Sequence, residues 1–190
     1  MDTGVVVVLI ILVLLVIAAL AVYAAQRRRT QNLQQRFGPE YERTVARAGG
    51  QRRAESELAA REHRRRELDI VALEPAARAR YQDDWLRTQG TFVDDPGTAI
   101  READALVTRV MRDRGYPVDD FEQQAADVSV DHPQVAENYR AAHALSRANE
   151  RGLAGTDDLR EAFVLYRSLF AQLLDDDGDA RKEAPHDRPR

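Results

Sequence analysis

The feature that most constrains this chain is an uninterrupted apolar segment at its start. Residues 5–25 read VVVVLIILVLLVIAALAVYAA and carry no charged side chain. At about 1.5 Å per residue, an α-helix of this length spans about 30 Å, the thickness of the hydrocarbon core of a bilayer. The segment is apolar on every face, whereas a core helix of a small soluble domain has a polar face. We therefore predict a transmembrane helix over residues 5–25.

A cleaved signal peptide is the alternative interpretation of this segment. Signal peptides have a basic n-region, a shorter apolar stretch and a small-residue cleavage site. Residues 1–4 contain no Lys or Arg, and Ala19-Leu20-Ala21, which fits a cleavage site, lies inside the apolar stretch. These departures favour an uncleaved anchor.

The charges that flank the segment predict its orientation. Arg27, Arg28 and Arg29 follow it almost directly, with Arg36 and Arg43 further on, and no basic side chain precedes it. Lys and Arg close to a membrane helix favour the cytoplasmic side. We expect a single-pass protein of the cell membrane, with its N-terminus outside and residues 26–190 in the cytoplasm.

Charge is distributed unevenly over the rest of the chain. Residues 26–68 contain 12 Arg and 6 Glu, a net charge of +6, whereas residues 69–190 have a net charge of −9. A basic juxtamembrane segment is attracted to anionic lipid. We therefore predict that residues 26–68 contact anionic lipid, with six arginines as the membrane-proximal basic residues. These are Arg27, Arg28, Arg29, Arg64, Arg65 and Arg66. The distal acidity argues against nucleic acid as a ligand.

The remaining sequence predicts an all-α fold, a single transmembrane helix followed by a small helical bundle. Residues 26–74 are predicted to be a basic connector with a charged helix at 51–68, which buries little and serves either as a lipid- or partner-binding arm or as a solvated spacer. Residues 75–174 are predicted to form the bundle, because apolar residues recur there at intervals of three and four. Its four main helices start near Pro75, Pro96, Pro133 and Thr156, and a shorter turn lies near 121–126. Residues 175–190 are predicted to be a disordered acidic tail.

No catalytic residue, cofactor site or metal site is predicted. The chain has no cysteine, and its four histidines show no metal-binding or catalytic spacing. Paired aspartates stand mostly at predicted helix starts, where they cap free N–H groups. A cation site at Asp119, Asp120 and Asp131 is the alternative use. His143 is expected to be a satisfied structural residue. The chain is therefore predicted not to be an enzyme.

Two aromatic sets leave one further alternative open. They are Tyr81, Trp85 and Phe92 on one helix, and Phe163, Tyr166 and Phe170 on another. Helical spacing makes core packing the expected use, and an exposed groove for a partner helix is the alternative.

Three segments carry a resemblance to known proteins. They are RFGPEYERTV at 36–45, RGYPVDDFEQQAADVSVDHPQVAENYRAAH at 114–143 and TDDLREAFVLYRSLF at 156–170. Together they resemble an uncharacterised family of small single-pass membrane proteins of actinobacteria, often labelled only as secreted or hypothetical. The resemblance implies no activity and transfers no functional residue.

The sequence thus favours a membrane-anchored, non-enzymatic interaction or scaffold protein whose protein partner is unknown. Two alternatives remain. One is an extracytoplasmic helical domain, either membrane-tethered or secreted. The other is an enzyme without a recognisable motif.

Overall fold

The computed structural model describes residues 3–175, and the surroundings of their side chains from residue 11 onward. These residues form α-helices joined by short connections, and no strand occurs among them, which confirms the all-α fold class. The eight described helices are α1 (Thr3–Phe37), α2 (Pro39–Ala48), α3 (Gln51–Glu67), α4 (Pro75–Asp94), α5 (Pro96–Asp113), α6 (Phe121–Asp131), α7 (Pro133–Glu150) and α8 (Thr156–Asp175).

The chain divides into two compact units, Met1–Leu58 and Ala59–Arg190. The division falls inside α3, whereas the sequence placed the start of the folded domain at Pro75. We call these the first unit and the second unit.

In the first unit, α1 continues as a helix beyond its apolar segment to Phe37, where the sequence predicted a polar connector. The helix ends at Gly38, whose φ of 47° is a left-handed value that favours glycine. Pro39 then starts α2, as its fixed φ predicts. Leu33 and Phe37 of α1 and Tyr41 of α2 are buried, so residues 26–50 belong to a folded unit.

The prediction that the charged helix buries little is wrong. Along α3, Ala54, Leu58 and Arg61 are fully or almost fully buried, and Arg61 is only 1% exposed. Their spacing of four and three places them on one face of the helix. A sequence pattern based on apolar residues misses this face, because its largest member is an arginine.

The core of the second unit is centred on α5, which contacts α4, α7 and α8. The predicted inner face of α5 is fully buried: Ile100, Ala103, Leu106, Val107, Val110 and Met111. The predicted face of α8 is buried as well: Leu159, Ala162, Phe163, Tyr166, Leu169, Phe170, Leu173 and Leu174. Both helices have the three-and-four spacing that a core-facing helix requires.

Helix α6, which follows α5 in the second unit, is longer than the turn that the sequence predicted. It extends to Asp131 and includes Val128-Ser129-Val130, the only strand-like pattern in the sequence. Its N-cap is Asp120, whose side chain accepts a hydrogen bond of 2.8 Å from the Gln123 backbone N–H.

Residues 68–74 connect α3 to α4 and are held against the second unit by Arg114 and Gly115. The Arg114 guanidinium donates to the carbonyl oxygens of Val71 (3.3 Å) and Leu173 (2.8 Å). Gly115 has a φ of 93°, and a Cβ there would lie 2.4 Å from the Asp69 carbonyl oxygen. This close approach requires glycine.

The predicted disordered tail, 175–190, lies outside the described residues except for Asp175, the last residue of α8.

We expect Leu169→Ala to lower the free energy of unfolding of residues 26–175 by roughly 2–5 kcal/mol, because Leu169 is fully buried in the core. Urea denaturation followed by circular dichroism measures the loss. Leu86→Ala is the matched control, since Leu86 of α4 is 64% exposed, and it should change the value by about 0.5 kcal/mol or less. Equal effects of the two substitutions would contradict the assigned core.

Candidate functional site

The apolar part of α1 is exposed throughout its described length. Every side chain in 11–25 is exposed, including Ile11, Leu14, Leu15 and Leu20. Among the described residues, α1 is the one helix long and apolar enough to cross a membrane, judged by length and composition. Large contiguous apolar surfaces of this kind mark a site of contact with membrane or protein.

The first predicted basic cluster, Arg27, Arg28 and Arg29, lies on α1 directly after this segment, and all three side chains are exposed. Thr30, the next residue, is half-buried because it faces the start of α3. Its hydroxyl donates to the Glu55 carboxylate (2.7 Å) and accepts from the Gln51 amide (3.3 Å). The polar turn of α1 is thus bonded to the first turns of α3.

Glu55 joins three helices of the first unit. Its Oε1 accepts hydrogen bonds from Thr30 of α1, from Tyr41 of α2 (3.1 Å) and from Gln51 of its own helix (2.8 Å). Burial alone would raise the pKa of Glu55, but these hydrogen bonds together outweigh it and hold the pKa below its ordinary value. The carboxylate is therefore ionised at neutral pH, and its hydrogen-bond donors lie within the first unit.

The second predicted basic cluster has different surroundings in the second unit. Arg64 donates to the Gln123 side chain (2.8 Å) and lies 3.6 Å from the Asp127 carboxylate. Arg65 forms an ion pair with Asp131, whereas Arg66 is exposed. Arg64 and Arg65 therefore bind the polar face of α6. Lipid contact by these arginines stays a prediction, and it would compete with these bonds.

Arg61 is the residue of this helix that sequence reasoning missed. It is almost fully buried and donates to the Ser129 hydroxyl of α6 (3.2 Å). Asp127 is fully buried, and burial raises its pKa above the ordinary value although Gln123 and the nearby arginines act in the opposite direction. The basic stripe of α3 thus packs on a buried polar stripe of α6, with arginine stems supplying apolar contact.

A histidine, a carboxylate and a tyrosine meet between α5, α7 and α8. The Tyr166 hydroxyl donates to Asp104 (2.8 Å), and the His143 Nδ1 lies 3.6 Å from the same carboxylate oxygen. The His143 ring stacks on Phe121 with 3.7 Å between ring centroids. The expectation of a satisfied His143 is wrong, because its buried Nδ1 has no hydrogen-bond partner among the described residues.

The aromatic sets pack in the core, as expected from their spacing. Trp85 stacks on Phe163 (5.1 Å between centroids) and on Phe170 (4.8 Å), and Phe92 meets Phe163 at 4.6 Å. Tyr81 is buried, and its hydroxyl donates to Asp113 (2.6 Å). These contacts occupy the ring faces that a partner helix would need.

An open groove of about 580 Å³ lies between α4 and α5. Three arginines line it, but Asp84 forms ion pairs with two of them, Arg87 and Arg109.

Asp120 and Asp131, named above for a cation site, are used for capping and for the pair with Arg65. The described residues contain no group of three or more potential metal ligands.

No protein family, curated protein or solved structure matches the chain. Its candidate functional features are therefore those that its own geometry supplies. They are the exposed apolar helix, the arginines that follow it and the polar contacts between α3 and α6.

We expect Arg61→Ala to lower the free energy of unfolding by about 2 kcal/mol or more. The substitution removes buried stem packing and leaves the buried Ser129 hydroxyl without its donor. Arg66→Ala, which removes an exposed arginine from the same helix, should cost about 0.5 kcal/mol or less. Urea unfolding of residues 26–175 checks both, and a small loss for Arg61→Ala would contradict a structural role.

A pH series tests the buried Asp127. Because its folded-state pKa is raised, the fold favours the protonated form. The wild type should therefore lose stability relative to Asp127→Asn as the pH rises from about 4 through the folded pKa.

The control for this series is Asp95→Asn, for which the opposite sign is expected. Hydrogen bonds from Thr98 lower the Asp95 pKa, so the wild type should lose stability relative to this variant as the pH falls through the folded pKa. Urea unfolding between pH 3 and 7 measures both differences. The same sign for the two variants would contradict these assignments.

Proposed function

We propose that this chain is a single-pass membrane protein that holds a non-enzymatic helical domain at the cytoplasmic face of the cell membrane, as an interaction or scaffold module. The observation that carries the proposal is the exposed apolar length of α1. A water-soluble protein would have to hide this helix, and the described chain does not bury any side chain of 11–25.

The orientation rests on the arginines at one end of the segment. Arg27, Arg28 and Arg29 are exposed and follow the apolar residues within one turn of the helix. Their charge favours retention on the cytoplasmic side. The resemblance to small single-pass proteins of actinobacteria supports the same architecture, and we propose membership of that group.

The interaction role rests on what the helical bundle offers at its surface. Leu86 and Val93 of α4 are 64% and 81% exposed and lie two helical turns apart, on one face. Apolar side chains on a membrane-tethered domain are suited to contact with another protein, because tethering raises the local concentration of both partners. The acidity of residues 69–190 disfavours nucleic acid as the partner.

An extracytoplasmic domain is the second candidate, since Ala19-Leu20-Ala21 fits a cleavage site. Reporter fusions after Arg190 distinguish the two. We expect a fluorescent protein that matures only in the cytoplasm to be bright, and alkaline phosphatase to be inactive. A dark fluorescent fusion with an active phosphatase would overturn the cytoplasmic placement.

Two triple substitutions test the physical cause of the orientation. Replacing Arg27, Arg28 and Arg29 with glutamine should increase phosphatase activity, because it removes the charges closest to the segment. Replacing Arg64, Arg65 and Arg66 with glutamine removes the same charge from outside the roughly 20 residues over which flanking charge acts, and should leave both signals unchanged.

A further inference from the structure

The start of α3 lies beside the membrane-proximal turn of α1. Gln51, the first residue of α3, donates to Thr30, and Glu55, one turn later, accepts from it. Arg52 and Arg53 stand between these two residues and are exposed. Arg27 precedes Thr30 by about one helical turn, on the same face of α1. Helices α1 and α3 are therefore joined at Thr30, and each has an arginine group within about one turn of that junction.

Folding also engages most of the described acidic side chains of the first unit in contacts within that unit. Glu40 is 2% exposed, Glu55 accepts three hydrogen bonds inside the unit, and Glu57 is paired with Arg47. Glu42 remains exposed. Most of these carboxylates are therefore engaged within the unit rather than available to pair with the exposed arginines.

The height of these arginines above the apolar segment matches the headgroup layer. This step rests on the proposed function, in which α1 spans the membrane. Thr30 is five residues beyond Ala25, about 8 Å along the helix axis. The headgroup region extends roughly 5–8 Å beyond the hydrocarbon core on each side. Arg27, Arg28 and Arg29 fall within that layer, and the bonds to Thr30 hold the start of α3 at its outer edge.

We propose that Arg27, Arg28, Arg29, Arg52 and Arg53 form one surface that binds the phosphate groups of anionic phospholipids in the cytoplasmic leaflet. Arginine suits this partner because its planar guanidinium donates two parallel hydrogen bonds to a phosphate. We call these five residues the headgroup surface. It differs from the basic arm predicted by the sequence, because Arg64 and Arg65 bind α6 instead.

The test uses the full chain in nanodiscs that contain equal amounts of phosphatidylcholine and phosphatidylglycerol. Native mass spectrometry of the ejected protein reports which lipid it retains. We expect enrichment of phosphatidylglycerol. Arg52→Gln with Arg53→Gln should reduce that enrichment by about fivefold for each arginine, which corresponds to about 1 kcal/mol per arginine at an anionic surface. Arg112→Gln with Arg147→Gln, an equal change of charge on exposed residues of the second unit, should leave it unchanged.

A second variant pair tests whether the fold assembles the surface. Thr30→Val with Gln51→Ala removes the two hydrogen bonds that Thr30 makes to α3 but alters no charge, and it should also reduce the enrichment. If only removal of Arg27, Arg28 and Arg29 lowered the enrichment, local charge would suffice and the assembled surface would be overturned. A chain that enters the disc but retains both lipids equally would overturn the inference alone. A chain that does not enter the disc would overturn the proposed function as well.

Discussion

The structure depends on an apolar helix that water solvates poorly. Each described side chain of 11–25 is exposed, and transferring such a surface to hydrocarbon gains about 25 cal/mol per Å². No described part of the chain covers it. A bilayer would accommodate this segment, because its side chains are apolar and an α-helix forms its backbone hydrogen bonds internally. If α1 spans a membrane as proposed, the residues that follow the apolar segment lie beside lipid headgroups, whose phosphates arginine binds well.

Arginine has two roles in this chain, and its chemistry accounts for both. In the second unit, Arg61 and Arg114 are buried, and their guanidinium groups donate to Ser129 and to backbone carbonyls. The long apolar stem packs like a hydrocarbon while the planar head satisfies several acceptors. At the surface of the first unit, Arg52 and Arg53 keep their heads in solvent. Charge count alone therefore does not tell where a basic stretch contacts lipid.

The sequence predicted those elements whose buried residues are apolar and regularly spaced. Helices α5 and α8 fall in this class, whereas the apolar segment of α1 is predicted by its length and its lack of charge. Prediction from the sequence failed where polar side chains are buried. The inner face of α3 includes Arg61, and α6 buries Asp127 and Ser129. Their partners are distant, since Arg61 and Ser129 are 68 residues apart. Local patterns reveal Arg27, Arg28 and Arg29, but the bonds that join the start of α3 to Thr30 are tertiary and leave no periodic signal.

The continuity of α1 determines how the membrane acts on the first unit. The helix runs unbroken from the apolar segment to Phe37, and Glu55 bonds it to both α2 and α3. A flexible linker would let the first unit rotate freely relative to the bilayer, whereas a continuous helix with a bonded neighbour transmits its tilt and rotation to that unit. If α1 spans the membrane as proposed, its tilt and rotation also set where Arg52 and Arg53 of α3 stand relative to the leaflet. Under that proposal, an orientation fixed before lipid binds lowers the entropy lost on binding, which favours selection of anionic headgroups by few arginines.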